Sequence, residues 1–153
     1  MDPEQLKLPG GWVIAVGVHP KHAREFGDCY FDQLSRLVDS PAVTALGEVG
    51  VDCSEGVEPF TLQFNTLKCA LALCRPYLPL VLHIRASGNC PRETNAFYRT
   101  VLENVPNAQQ AIPLHCFSGD SVSVKLWLDH YLRTPLYAIF QFYAVVIYKL
   151  LPL

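Results

Sequence analysis

Three histidines and a glutamate each close a short apolar run. His19 follows residues 12–18, Glu48 follows 42–47, His83 follows 78–82 and His115 follows 111–114. Imidazole nitrogen and carboxylate oxygen are the donors that hold zinc, manganese and similar divalent ions. A lone histidine at such a place is usually a hydrogen-bonded structural residue, but four donors at the ends of four runs favour a shared metal or phosphate site. Glu48 stands in Gly47-Glu48-Val49-Gly50-Val51-Asp52, where two glycines let the backbone bend closely around a carboxylate. Its two oxygens can serve one ion each, and a pair of ions can activate water while neutralising charge on a phosphodiester. Asp52 reads equally as a residue that orients a ligand or water and as an exposed loop acid. In His115-Cys116-Phe117-Ser118-Gly119 a hydroxyl and backbone N–H groups at a helix start offer an anion site, and Ser118 reads equally as a plain cap. Arg85 lies two residues beyond His83. In a loop it reaches a phosphate, whereas a continuing strand is expected to turn it to the opposite face. Cys116 is expected to pack as a small buried residue, and His22 and His130 read as surface or helix residues.

These donors need a frame that brings strand ends together. From Gly11 to about residue 131, apolar runs alternate with segments of helical character, the pattern of βα units around a parallel sheet. Runs apolar on both faces suit strands buried on both sides. At the C-terminal edge of such a sheet, the βα loops gather side chains from different strands. Phe60, Phe64, Leu67 and Leu71 recur at helical spacing after Pro59 and predict a helix over about residues 58–75, with the stripe as core packing. Further helices are expected near residues 28–38, 92–104 and 120–131. Residues 136–148 are apolar except for Gln141 and fall short of the roughly 18 residues of a membrane span. They predict a buried strand or helix, with a terminal anchor or a replaced ending of a longer protein as alternatives.

Half of the 153 residues are hydrophobic, enough for one core and one domain. A formal net charge of -2 argues against a broad basic surface for nucleic acid, so phosphate chemistry must lean on metal. Six cysteines without CxxC spacing or a secretory pattern predict reduced thiols and no structural zinc module.

In this order, Gly17-Val18-His19-Pro20, the run Ala45-Leu46-Gly47-Glu48-Val49-Gly50-Val51-Asp52, then Leu78-Pro79-Leu80-Val81-Leu82-His83-Ile84-Arg85 and His115-Cys116-Phe117-Ser118-Gly119 resemble the GxHP, GEIGLD, LPVIIHxR and HCFSG elements of the TatD family. The resemblance covers about residues 11–131. It implies an α/β fold, an incomplete TIM barrel of about four to five βα units lacking the first and the normal C-terminal strands. It also implies metal-dependent hydrolysis of phosphodiester bonds in DNA, typically as a 3′–5′ exonuclease, with two divalent ions of the magnesium, manganese or zinc type. Under it Glu48 is the catalytic, shared metal ligand, His83 and His115 ligate the second ion, Asp52 supports them, and His19, Arg85 and Ser118 face phosphate. The family's HxH pair and its late ETDxP aspartate have no counterpart here, so at most one ion is expected and activity is expected to be impaired. Cys53 and Ile84 replace an aromatic and a small polar residue of relatives.

The expected organisation is a partial metallohydrolase domain over residues 1–134 with a divergent apolar tail, 135–153, packed on it. DNA is the implied partner, open sheet edges invite self-association, and the implied location is cytoplasmic or nuclear. The alternative is a catalytically inactive fragment serving as a binding or dimerisation module. A barrel metallohydrolase of the amidohydrolase kind fits residues 47–52 and 115–119 less well.

Overall fold

Seven elements follow one another in a computed structural model that describes residues 13–54, 60–85, 100, 103–105, 110–117, 121, 122, 125 and 127. They are β1 (Ala15–Val16), a 3-10 turn (Pro20–Glu25), α1 (Asp28–Val38), β2 (Ala45–Asp52), α2 (Phe60–Leu71), β3 (Leu80–Arg85) and β4 (Leu114–His115). The strands form one sheet in the order β1-β2-β3-β4, every neighbouring pair parallel. The α/β class expected from the alternating runs is the class observed.

Strand lengths depart from the apolar runs for local reasons. Just before β1 the Ile14 N–H donates to the Thr44 hydroxyl and not to a backbone carbonyl, while the Ile14 carbonyl accepts from the Thr44 and Ala45 N–H groups and from that hydroxyl. β4 is short because Pro113 has no N–H to give, although its carbonyl still accepts from Leu82 N–H at 2.9 Å. β2 instead outruns its first apolar run, because Val49 and Val51 keep burying the strand after Gly47. Every residue of β2 beyond Ala45 is buried, as suits a strand covered on both faces.

α1 begins with Asp28 in its first turn and carries Arg36 in its last, both favourable to the helix dipole. Leu34 and Val38, four apart, form its buried contact. On α2 the buried stripe is Gln63, Thr66, Leu67, Ala70 and Leu71, the i, i+3, i+4, i+7, i+8 series of an amphipathic helix. Phe60 and Phe64, assigned by their spacing to the same stripe as Leu67 and Leu71, instead flank it half-buried and stack on each other at 5.6 Å between ring centroids. The helix stops at Leu71, short of residue 75. There the Leu73 and Cys74 N–H groups close onto Ala70 and Leu71 carbonyls in a tightened last turn. Leu46, Val49, Val51, Leu80, Leu82 and Ile84 pack with these helices and Trp127 into one core.

Ser121, Val122, Lys125 and Trp127 are helical, within the helix expected at 120–131, as are Thr100, Glu103 and Asn104 within that expected at 92–104. The tail of residues 135–153 lies outside the described residues. Among those residues no helix is long and apolar enough to cross a membrane. Cys29, Cys69, Cys74 and Cys116 are free thiols.

Candidate metal centre

Register alone sets three of the sequence-derived positions side by side: Gly50 pairs with His83, and His83 pairs with His115, in one row across β2, β3 and β4. Glu48 reaches this row from a bulge. Gly47 pairs with Val81 and Val49 with Leu82, leaving Glu48 without a cross-strand partner. An extra residue of this kind bends the strand and re-aims its side chain. Glu48 and His83 therefore lie inside their strands and not at strand ends, a correction to the reading of the apolar runs.

The Glu48 carboxylate is buried, and each oxygen meets a different imidazole. Oε2 lies 3.0 Å from His83 Nδ1, and Oε1 lies 2.7 Å from His115 Nδ1. Burial pushes the Glu48 carboxyl up, but the imidazoles beside it outweigh that and hold it below its ordinary value, so it is ionised. Although close, His115 Nδ1 is off the line a hydrogen bond requires and is a buried nitrogen with no hydrogen-bond partner. Two donors crowded together without a hydrogen bond between them are what a shared cation would satisfy.

Asp52 is a buried strand residue, which overturns its reading as an exposed loop acid. Its Oδ2 lies 3.1 Å from His83 Nε2, while Oδ1 accepts from Ser54 N–H at 2.9 Å and Ser54 Oγ–H at 2.5 Å. Burial opposes ionisation here too, and the Ser54 donors with His83 overcome it, leaving Asp52 below its ordinary value. Assigning the His83 proton to Nε2, where Asp52 accepts it, leaves Nδ1 as the lone pair available to an ion beside Glu48, the carboxylate–imidazole arrangement of metal-binding histidines.

Sequence reasoning missed Gln63. From α2 its amide pairs with the Asp52 main chain in both directions, Oε1 accepting from Asp52 N–H at 2.8 Å and Nε2 donating to the Asp52 carbonyl at 3.0 Å. The available signal was a polar residue at helical spacing from Leu67 and Leu71. Gln63→Leu is expected to lower unfolding free energy by about 1–3 kcal/mol per polar group left buried and unmade. Denaturant titration checks this, and a loss under about 0.5 kcal/mol, the scale of an ordinary surface change, would count against the clamp.

His19 caps the 3-10 turn, its Nδ1 accepting from Lys21 N–H at 3.1 Å. Its ring stands edge-on to His83 with 4.5 Å between centroids. Burial first, and then the neighbouring His83, lower its pKa from 6.5 to about 4. A neutral imidazole whose Nδ1 accepts carries its proton on Nε2. His19 thus offers a donor, although one of its nitrogens lies within 4.8 Å of Glu48 and His83 ligand atoms. Between pH 6.5 and about 4 the unfolded chain binds a proton at His19 that the folded chain does not, so stability falls as pH falls through that window. Glu48 and Asp52, with lowered values, add a further loss at more acid pH. Thermal unfolding in chelator-containing buffer should show a melting temperature that declines over this range more steeply in the native chain than in His19→Gln. Parallel slopes would contradict the assignment.

β3 continues through Arg85, which pairs with Asp52 across the ladder. Period-two geometry then puts Arg85 on the same sheet face as His83, correcting the expectation that a continuing strand would turn it away. Its side chain is exposed. Cys116 is exposed and not buried, another correction; it adopts φ +51° and sets Sγ 3.5 Å from His115 Nε2. Ile84 lies fully within the core, away from the histidines. His22 is an exposed residue paired with Glu25 at 3.1 Å, as its surface reading anticipated. Ser118 and His130 lie outside the described residues.

Two sets of three ligand atoms lie within 4.8 Å of one another: His19, Glu48 and His83, and His83, His115 and Cys116. Glu48 links both through its separate oxygens. Nitrogen and oxygen donors around two ionised, buried carboxylates fit a divalent ion of the zinc or manganese type.

A family model described as TatD related DNase matches residues 5–145. The 3'-5' ssDNA/RNA exonuclease TatD of Pantoea vagans is 34% identical over 113 residues, covering 72% of this chain and 40% of that protein. Its counterpart from Erwinia amylovora is 35% identical over 109 residues, 71% of this chain and 39% of that one. The chain thus spans about two fifths of the length of the curated relatives it matches. A crystal structure of a TatD homolog from Escherichia coli k12 superposes with a TM-score of 0.63 at 24% identity, over 77% of this chain and 44% of the other, a likeness of fold.

Proposed function

Because the chain belongs to the TatD related DNase family, we propose that Glu48, His83 and His115 hold a divalent ion for hydrolysis of phosphodiester bonds in single-stranded nucleic acid, DNA first. The observation that carries this reading is the Glu48 carboxylate, ionised and buried, placing one oxygen against each histidine of two adjacent strands. Bound there, a divalent ion supplies Lewis acidity, lowering the pKa of water and offsetting charge on the phosphate.

The chain's own groups do the remaining work. Asp52 accepts a hydrogen bond from His83 Nε2–H and fixes the direction of Nδ1. Gln63 and Ser54 keep Asp52 in place and ionised. His19, neutral near pH 7, donates Nε2–H to a non-bridging phosphate oxygen without adding a positive charge that would repel the cation. Arg85, exposed on the face of His83, presents its guanidinium fork to the next phosphate. Ser118 is assigned a hydroxyl contact to phosphate on the resemblance alone. With a formal net charge of -2, substrate is held by these few contacts and the ion, not by a basic surface.

The test is release of nucleotides from an end-labelled single-stranded oligonucleotide by the purified chain. Activity is expected with manganese, magnesium or zinc, is expected to disappear with a chelator, and is expected to return on adding metal back. A chain that binds metal but releases nothing under any of these conditions would leave a binding module in place of a nuclease.

A further inference from the structure

Cys116 breaks the pattern of its strand. In an extended continuation of β4, residue 116 would point to the face opposite His115. Its left-handed φ of +51° instead folds the side chain back, so that Sγ approaches His115 Nε2 at 3.5 Å. At the usual zinc–nitrogen and zinc–sulfur lengths, two ligands of one tetrahedral ion stand about 3.6 Å apart. His83 adds a third ligand atom within 4.8 Å of both. This nitrogen-and-sulfur set shares His83 with the oxygen-bearing set around Glu48 but faces solvent: Cys116 is exposed and the His115 side chain is 34% exposed.

We propose that Cys116 supplies a thiolate ligand, with His83 and His115, to a divalent cation at this centre, making the centre selective for thiophilic ions such as zinc, cobalt or cadmium over magnesium. The inference rests on the metal-site reading above and sharpens it by naming the class of ion. Imidazole and thiolate together suit zinc and its neighbours, whereas magnesium takes oxygen ligands. On binding, the thiol loses its proton to solvent as the sulfur–metal bond forms, and no oxidant or reductant is involved. His115 has Nε2 toward Cys116 and Nδ1 toward Glu48, so the ring gives its lone pair to one side only: with the ion on the thiolate side Nε2 is the ligand, and Nδ1–H turns to Glu48 in place of sharing a cation with it.

Cobalt titration of the 153-residue chain under reducing conditions separates the two claims, since visible d–d bands report a bound ion and a near-ultraviolet charge-transfer band reports a thiolate on it. The native chain is expected to show both. Cys116→Ser should lose the charge-transfer band and at least about tenfold in cobalt affinity. Cys116→Asn, whose side chain tolerates the left-handed backbone, should also lose the band, which guards against misfolding of the serine variant. Zinc, and not magnesium, should protect Cys116 from alkylation in the native chain. Visible bands without a charge-transfer band would overturn the thiolate and leave the metal site standing. A charge-transfer band that survives in both variants would assign the sulfur to another cysteine and likewise overturn it. No cobalt bands at all would overturn both readings.

Discussion

Glu48→Gln is expected to lower divalent-ion affinity by at least about 100-fold, the upper end of what loss of a mere supporting residue costs at a metal site. The substitution keeps the side chain's volume, so the bulge of β2 and the packing around it persist. It removes the negative charge and converts one of two acceptor oxygens into a donor amide. In the native chain Oε1 and Oε2 each face a histidine nitrogen, at 2.7 and 3.0 Å. An amide serves one of these and opposes the other. Calorimetric titration with zinc is the direct measurement, and chelator-reversible nucleotide release is expected to vanish alongside. Affinity within a few-fold of the native chain would place the ion elsewhere. Asp52→Asn, acting through His83, is expected to weaken binding less, by about 10–100-fold. The order of the two effects tests which carboxylate touches the ion.

The apolar runs made the sheet legible because parallel strands covered on both faces leave a local signature. Leu46, Leu80 and Leu82 needed no partner to be recognised as core. The residues that failed to show themselves depend on what lies across the ladder. Glu48 read as a strand end because its run stops at Gly47, and the bulge exists only through pairing with Val81 and Leu82 of β3. Arg85, by contrast, was misdirected for a local reason: residues two apart on a strand share a face, so a continuing β3 puts Arg85 on the side of His83. Gln63 carried a faint signal as a polar position on the buried stripe of α2, but its purpose required knowing that this stripe meets the end of β2. Cys116 looked like a small core residue in an apolar context, and one left-handed dihedral moved it to the surface beside His115. For the site, His83, His115 and Glu48 were legible as donor types. The proton on His19 Nε2 was not, since it follows from the Lys21 N–H that caps Nδ1.

Gly50→Ala is expected to cost roughly 2–6 kcal/mol, combining overpacking of about 1–3 kcal/mol with backbone strain of similar size. Gly50 has φ +153° and lies directly beside His83 in the ladder. A Cβ there runs into the His83 carbonyl oxygen, with its carbonyl carbon at 2.9 Å and its nitrogen at 3.0 Å. These are backbone atoms held by the parallel pairing, so no side chain can swing aside to make room. Either β2 lifts away from β3 or His83 shifts, and both displace the imidazole that stands between Glu48 and Asp52. The variant should therefore lose metal affinity along with stability, more than a simple loss of packing would cause. Gly27→Ala provides the contrast, because a Cβ at Gly27 meets nothing within 4 Å; Gly27 is the N-cap of α1, so the change should cost no more than about 1 kcal/mol, with zinc affinity unaltered. Denaturant unfolding and zinc titration of the two variants side by side measure both effects. If Gly50→Ala proves as mild as Gly27→Ala, then β2 and β3 do not approach at His83 as closely as the row through Gly50, His83 and His115 requires, and the placement of Glu48 against both histidines loses its structural basis.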